Sequence, residues 1–174
     1  MTIIYFVRHG KPDNPKGMIK GRLPGFPLNE LGKEQSKETG ERLSSRPIAA
    51  IYSSPILRCR QTARIIQKYF PKISIKYSNL VIEVKSKWQG RPYSLILNSS
   101  FREYLKDNNE HPKKIAARML RFCEKVKRKY PGQEVICVTH GGTVWALQKK
   151  LKGFSLEQKP TSAISVGEIW KARV

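Results

Sequence analysis

Acidic residues are scarce in this 174-residue chain: thirteen Asp and Glu stand against 34 Lys and Arg, for a formal net charge of +21. That leaves no broad acidic surface and favours anionic partners, whether phosphorylated metabolites, nucleic acid or acidic lipid. A lysine-rich surface that is merely soluble explains the same number, so charge indicates a class of partner without naming one. Cysteine is equally sparse. Cys59, Cys123 and Cys137 form an odd set without metal-ligand spacing, which argues against a disulfide framework and reads as reduced core thiols of a cytoplasmic protein. Three histidines are too few for a structural zinc site, since two of them belong to the motifs below. No apolar run approaches the ~20 residues of a membrane span. The segment Met1-Thr2-Ile3-Ile4-Tyr5-Phe6-Val7 lacks a basic leader and a small-residue cleavage site, so it reads as a strand rather than a signal peptide. Internal repeats, low-complexity tracts and linkers are missing too. With 39% hydrophobic and 27% charged residues, the expectation is one globular domain over 1–174.

What is present alternates between two periods. Residues 2–8 are an apolar, β-branched run suited to a strand buried on both faces. Residues 10–28 carry Pro12, Pro15, Gly17, Gly21, Pro24, Gly25 and Pro27, too many breakers for a regular element. Asn29 is a natural N-cap for a helix through about Ser45, with Leu31 and Leu43 among its few apolar contacts. Residues 48–53 read as a short buried strand, and Ser54 with Pro55 opens a helix through Tyr69. Ile73–Tyr77 alternates as a strand does, while 92–108 suit a short helix with a loop. Pro112 opens a helix through Lys129, with Ile115, Met119, Phe122, Cys123 and Val126 on one stripe. Glu134–Thr139 is an apolar strand, Thr143–Leu151 a helix and Ala163–Lys171 a last strand. The alternation predicts an α/β three-layer sandwich: a mostly parallel central sheet with helices on both faces. Ligands of such folds bind beyond the carboxyl ends of the strands.

Three places satisfy that rule. Arg8-His9-Gly10 ends the first strand, Ser53-Ser54-Pro55 with Arg58 follows the second, and His140-Gly141-Gly142 ends the Val135–Val138 strand. Singly, a strand-end histidine is an ordinary hydrogen-bonded residue and a helix arginine an ordinary solvated one. Together they suit phosphoryl chemistry. A neutral imidazole can attack phosphorus and divide one displacement into two, and planar guanidinium forks match phosphate oxygens. Gly10 permits close backbone approach beside His9, and Gly141-Gly142 exposes amides at a helix start. Charge stabilisation of this kind needs no metal or other cofactor. An acid must still protonate the leaving oxygen. Glu83, within Leu80-Val81-Ile82-Glu83-Val84, is the candidate, because burial among apolar neighbours would raise its pKa; an exposed strand-edge glutamate is the plain alternative.

Four segments in order, Val7-Arg8-His9-Gly10, Pro27-Leu28-Asn29-Glu30-Leu31-Gly32-Lys33-Glu34-Gln35, Tyr52-Ser53-Ser54-Pro55-Ile56-Leu57-Arg58-Cys59-Arg60-Gln61-Thr62-Ala63 and Val138-Thr139-His140-Gly141-Gly142, resemble the signatures of the histidine phosphatase (phosphoglycerate mutase-like) superfamily. The resemblance runs from about residue 3 to 152. It implies a metal-free α/β sandwich in which His9 is the phosphorylated nucleophile. Arg8, Arg58, His140 and Gly141 would bind the phosphate, and Glu83, ahead of Trp88-Gln89-Gly90, would be the acid. The departures fall on the substrate side. Lys11 and Pro12 follow Gly10, the usual downstream phosphate-binding Asn stands one position early as Asn14, and the acidic residue before the Pro-Leu pair is missing.

The superfamily holds hydrolases and mutases. A mutase must shield its phosphoenzyme from water, yet only a short cap at about 85–111 is available here, with His111 at its end. Hydrolysis of a small phosphorylated metabolite is therefore the expectation. A phosphoglycerate mutase-type reaction is the alternative, followed by a protein-phosphohistidine phosphatase or a nucleic-acid-binding protein on this fold. Lys11, Lys16, Lys20, Arg22, Lys85, Lys87 and Arg91 lie in the two segments expected to rim the pocket. They suit a polyanionic substrate, although the general lysine excess accounts for them as well.

Overall fold

The computed structural model describes residues 1–95, 110–156 and 164–174. Its five-stranded sheet has the order β3-β2-β4-β1-β5, with β1 at Ile3–Arg8, β2 at Ile48–Ser53, β3 at Ile75–Tyr77, β4 at Glu134–Thr139 and β5 at Ile169–Arg173. All pairings are parallel except that of β5, which runs antiparallel to β1 at one edge. The helices are α1 (Glu30–Leu43), α2 (Leu57–Gln67), α3 (Pro112–Lys129) and α4 (Gly141–Leu151). None of the described helices is long and apolar enough to cross a membrane.

The continuous apolar run of β1 has a direct cause. Ile4 and Phe6 pack with α3 and α4, whereas Tyr5 and Val7 pack with α1 and α2, so both faces are covered. α3 begins at Pro112 and ends at Lys129 as its stripe predicts; Ile115, Met119, Phe122, Cys123 and Val126 are all buried. His111, at the end of the expected cap, is the N-cap of α3, accepting from the Lys113 amide. Asn29 caps α1 by accepting from the Gly32 amide at 2.8 Å. Leu31, however, is 52% exposed: α1 faces the core with Leu43 and with Gly32, Ser36, Thr39 and Gly40, small residues that let it lie close to α2.

Several boundaries differ from expectation. α2 starts at Leu57, not at Ser54-Pro55, because Ile56 is still extended (φ −69°, ψ 141°) and the Ser54 hydroxyl is turned towards His140. The last strand starts at Ile169 rather than Ala163. Residues 164–168 turn, with Gly167 at φ 76° and its amide bonded to the Arg8 carbonyl, before β5 can pair with β1. β3 is likewise shorter than the predicted 73–77 strand. Most of the 92–108 helix and of the 85–111 cap lies outside the described residues. The part that is described pairs with the loop after β1, through Gly90 to Ile19 and Tyr93 to Gly17.

Candidate active site

Register builds the site. β1 and β4 pair with Arg8 opposite Thr139, and the His9 amide donates to the Thr139 carbonyl at 3.0 Å. His9 and His140 therefore leave neighbouring strands side by side, with ring centroids 5.3 Å apart. β2 pairs with β4 through Ser53 and Val138, which brings Ser54 to the same edge and the first turn of α2, with Arg58, directly above it.

His9 is buried, and its Nδ1 lies 2.8 Å from the Gly10 carbonyl. A carbonyl only accepts, so Nδ1 carries the proton and Nε2 presents its lone pair. Arg58 Nε donates to that lone pair at 3.1 Å. Burial first, then the neighbouring His140 and Arg58, holds the imidazole well below its usual pKa, leaving it neutral at physiological pH. His140 is fully buried with Nε2 2.8 Å from Ser54 Oγ and Nδ1 3.3 Å from Glu83 Oε2. Burial and then the charges of Arg58, Arg118, Arg8 and Arg22 keep it neutral too.

The two arginines, Arg58 buried and Arg8 half-buried, are not fully spent on protein acceptors. Arg58 is 0% exposed; Nη2 reaches the Gly21 carbonyl at 3.0 Å and Glu83 Oε2 at 3.4 Å, while Nη1 meets no acceptor among the described residues. Arg8 donates Nη1 to the Ile164 carbonyl at 2.7 Å, and its Nε meets none. A Cβ on Gly141 would stand 3.1 Å from the Arg8 guanidinium, so glycine there lets the cation lie against the start of α4. Unpaired buried donors are costly. Two guanidinium groups and a helix N-terminus converging beside a neutral imidazole make a site for an anion with several oxygens.

Glu83 sits on the loop after β3, its Oε1 accepting from the Val84 amide at 2.9 Å and its side chain 19% exposed. His9, Glu83 and His140 bring one donor atom each within 4.8 Å of one another, a set that elsewhere holds a divalent cation. Here the Arg58 guanidinium lies against all three at 3.1, 3.4 and 3.3 Å, so a permanent positive charge already fills the position a metal would take. The donor set does not suit a cation.

The structure gathers Arg8, His9, Arg58, Glu83, His140 and Gly141 at one edge. Asn14 is placed differently: both polar atoms of its side chain bond to the Met18 backbone, at 2.9 and 3.1 Å, closing a turn. Of the seven rim cations, Arg22 pairs with Glu110 and Arg91 lies over the Trp88 ring. Lys20 is half-buried; desolvation and then the charges of Arg58 and Arg8 lower its pKa against the pull of Glu83. The bond of Ser54 to His140, and the places of Glu110 and Arg118, escaped sequence reading. The one available signal was an arginine at 118, inside the apolar stripe of α3.

The sequence profile of the histidine phosphatase superfamily (branch 1) matches residues 4–172. The chain belongs to the histidine phosphatase superfamily. It is 30% identical to a metal-independent phosphoserine phosphatase of Arabidopsis thaliana, over 100% of this chain and 75% of that protein. An uncharacterized Mycobacterium tuberculosis protein is 31% identical, over 91% of this chain and 83% of its own length. Among solved structures, Bacillus stearothermophilus YhfR superposes with a TM-score of 0.88 at 23% identity, covering 100% of this chain and 92% of that one. As a histidine phosphatase, the chain is a phosphoric monoester hydrolase on an α/β sandwich.

Proposed function

We propose that the protein hydrolyses a small phosphorylated metabolite through a phosphohistidine at His9. One observation carries this reading: the His9 tautomer is set by Gly10, so a neutral Nε2 lone pair faces Arg58, with the Arg8 guanidinium against the start of α4, and each arginine keeps a buried N–H with no acceptor among the described residues. An incoming phosphoryl group takes Arg58 Nε away from His9 and engages Arg8, Arg58, His140 and the Gly141 end of α4 through its oxygens. Nε2 then attacks phosphorus as the P–O bond to the leaving group breaks. Glu83, on the open side, gives its proton to the leaving oxygen. It afterwards removes one from the water that attacks the phosphohistidine, which frees His9 and releases phosphate. In this reading Asn14 holds the loop rather than the phosphate.

Lys20 extends the reading to the rest of the substrate. A half-buried ammonium at the mouth of the pocket suits a second anionic group, such as a carboxylate, on the ester. The Arabidopsis relative, named a phosphoserine phosphatase, agrees with that chemistry. The test is a panel of phosphomonoesters with wild type, His9→Ala and Glu83→Gln. Wild type quenched in alkali should carry one added phosphoryl group that His9→Ala lacks, and His9→Ala should release no phosphate. Full activity in His9→Ala overturns the mechanism, and little loss in Glu83→Gln on alkyl esters moves the acid elsewhere.

A further inference from the structure

Glu83 does not belong to the sheet. β3 ends at Tyr77, and over residues 80–85 side chains from four other segments take up the backbone. The Leu80 carbonyl accepts from Arg118 Nη1 at 2.8 Å, and the Val81 carbonyl accepts from Thr139 Oγ1 at 2.7 Å. The Glu83 carbonyl accepts from Arg22 Nε at 2.7 Å and more weakly from Arg118 Nη2 at 3.5 Å. The Lys85 amide donates to Glu110 Oε2 at 3.1 Å. Glu110 links these donors: Oε1 takes Arg118 Nε and Oε2 takes Arg22 Nη2, both at 2.7 Å. Arg118 and Glu110 are nearly buried, at 8% and 13% side-chain exposure. An ionic triad two-thirds or more out of solvent, as Arg22, Glu110 and Arg118 are, is weak evidence for stability, because apolar residues of equal volume often do as well. What it can do better is fix a position. Here two guanidinium forks and one carboxylate fix the main chain on both sides of the acid.

We infer that Arg22, Glu110 and Arg118 form a clamp that positions Glu83 for proton transfer to the leaving group. The inference rests on Glu83 being that acid. Glu110 is the keystone, since it orients both arginines and holds Lys85. Its carboxylate stays charged: burial would raise its pKa, but the bonds from Arg118 and Lys85 and the charge of Arg22 together bring it below the ordinary value. Arg22 also ties the clamp to the loop carrying Lys20 and Gly21, on which Arg58 Nη2 rests. The acid and the substrate loop are thus held by one set of charges.

The experiment compares two leaving groups. An alkyl phosphate releases a strongly basic alkoxide and needs the acid, whereas 4-nitrophenyl phosphate releases a stable phenolate and hardly does. The ratio of kcat/KM for the two reports the step that phosphorylates His9. Glu110→Gln, and Arg118→Lys as a variant that keeps the charge but loses the fork, should lose about ten- to a hundred-fold on the alkyl ester, as expected for an acid displaced by about 1 Å. Both should stay within about three-fold of wild type on the aryl ester, where little proton transfer is required. A purely structural role would lower Tm and depress both substrates alike, and that equal loss, or no loss on either, overturns the inference. Glu83→Gln separates the two readings. If it spares the aryl ester selectively while the clamp variants do not, the clamp fails and the acid stands; if it is not selective, the acid itself is misassigned.

Discussion

Gly10→Ala tests how tightly the nucleophile depends on the packing beneath it. A Cβ added at Gly10 would lie 2.2 Å from the Gly32 carbonyl oxygen and 2.9 Å from Ser36 Oγ. The close neighbour is backbone in the first turn of α1, so no side-chain rotation relieves the contact. The end of β1 and the start of α1 must separate by about 1 Å to restore van der Waals distance, an overpacking that costs about 1–3 kcal/mol. For a chain of this size the upper figure lowers Tm by roughly 6–12 °C. Catalysis should suffer more than stability, because the Gly10 carbonyl holds the His9 Nδ1 proton and the Gly10 amide is anchored on Thr62 Oγ1 at 3.1 Å. A shift of about 1 Å at a reacting atom costs on the order of 10²-fold. Thermal unfolding and kcat/KM on 4-nitrophenyl phosphate measure the two effects. Gly32→Ala meets the same contact from the other side, 2.0 Å from the Lys11 carbonyl oxygen, so the double variant should lose less than the sum. Gly132→Ala is the control: its φ of 71° strains an alanine by about 1 kcal/mol, yet nothing lies within 4 Å of the added Cβ, and activity should be unchanged. Wild-type kcat/KM in Gly10→Ala, or a loss no larger than the control's, refutes the reasoning.

Other outcomes follow from the same geometry. His9 and His140 are neutral in the fold and titrate near 6.5 once unfolded, so the stability they lend is present above that pH and lost as pH falls. Tm should be flat from pH 8 to 7 and then fall with up to two protons taken up on unfolding; His140→Asn should remove one, and an unchanged slope contradicts it. Because His9 stays neutral below 6.5, kcat/KM should persist to lower pH than an ordinary histidine allows. Prolonged EDTA treatment should leave activity intact, since Arg58 fills the only three-donor cluster found among the described residues; a loss reversed by added divalent metal refutes that. For Lys20, added salt should depress kcat/KM steeply for a bisphosphate and weakly for a neutral-tailed monoester, with Lys20→Met abolishing the difference; equal salt response rules out the second-anion role.

The central elements were legible because their signals are local and redundant. Pro112 and the Ile115–Val126 stripe set α3, and six buried residues in a row set β4. His9, Arg8 and His140 were legible because each stands where a strand must end. What was hidden depends on contacts distant in sequence. Ser54 reads as a helix cap from its neighbours alone, and only the approach of β4 offers it a histidine instead. Leu31 looks like a core residue until close α1–α2 packing turns the small face of α1 inward. Of the clamp only Arg118 left a signal: Arg22 and Glu110 are 88 residues apart, and both resemble the solvated charges that crowd this chain. Lys20 was one of seven equivalent cations until the fold turned aside Arg22 and Arg91.

The strand order also sets a timetable for folding. β1 is the first of the five strands to be synthesised, yet both its neighbours, β4 and β5, come from beyond residue 133. Through most of synthesis the run Ile3–Val7, uncharged and strongly β-forming, has open edges on both sides and is the segment best able to pair with another copy. Non-local pairings of this kind fold slowly. Expression at low temperature or with a holding chaperone should therefore raise the soluble yield more than any surface change. In refolding, phosphatase activity should return only with the last step, when β4 slides in beside β1 and the two histidines meet.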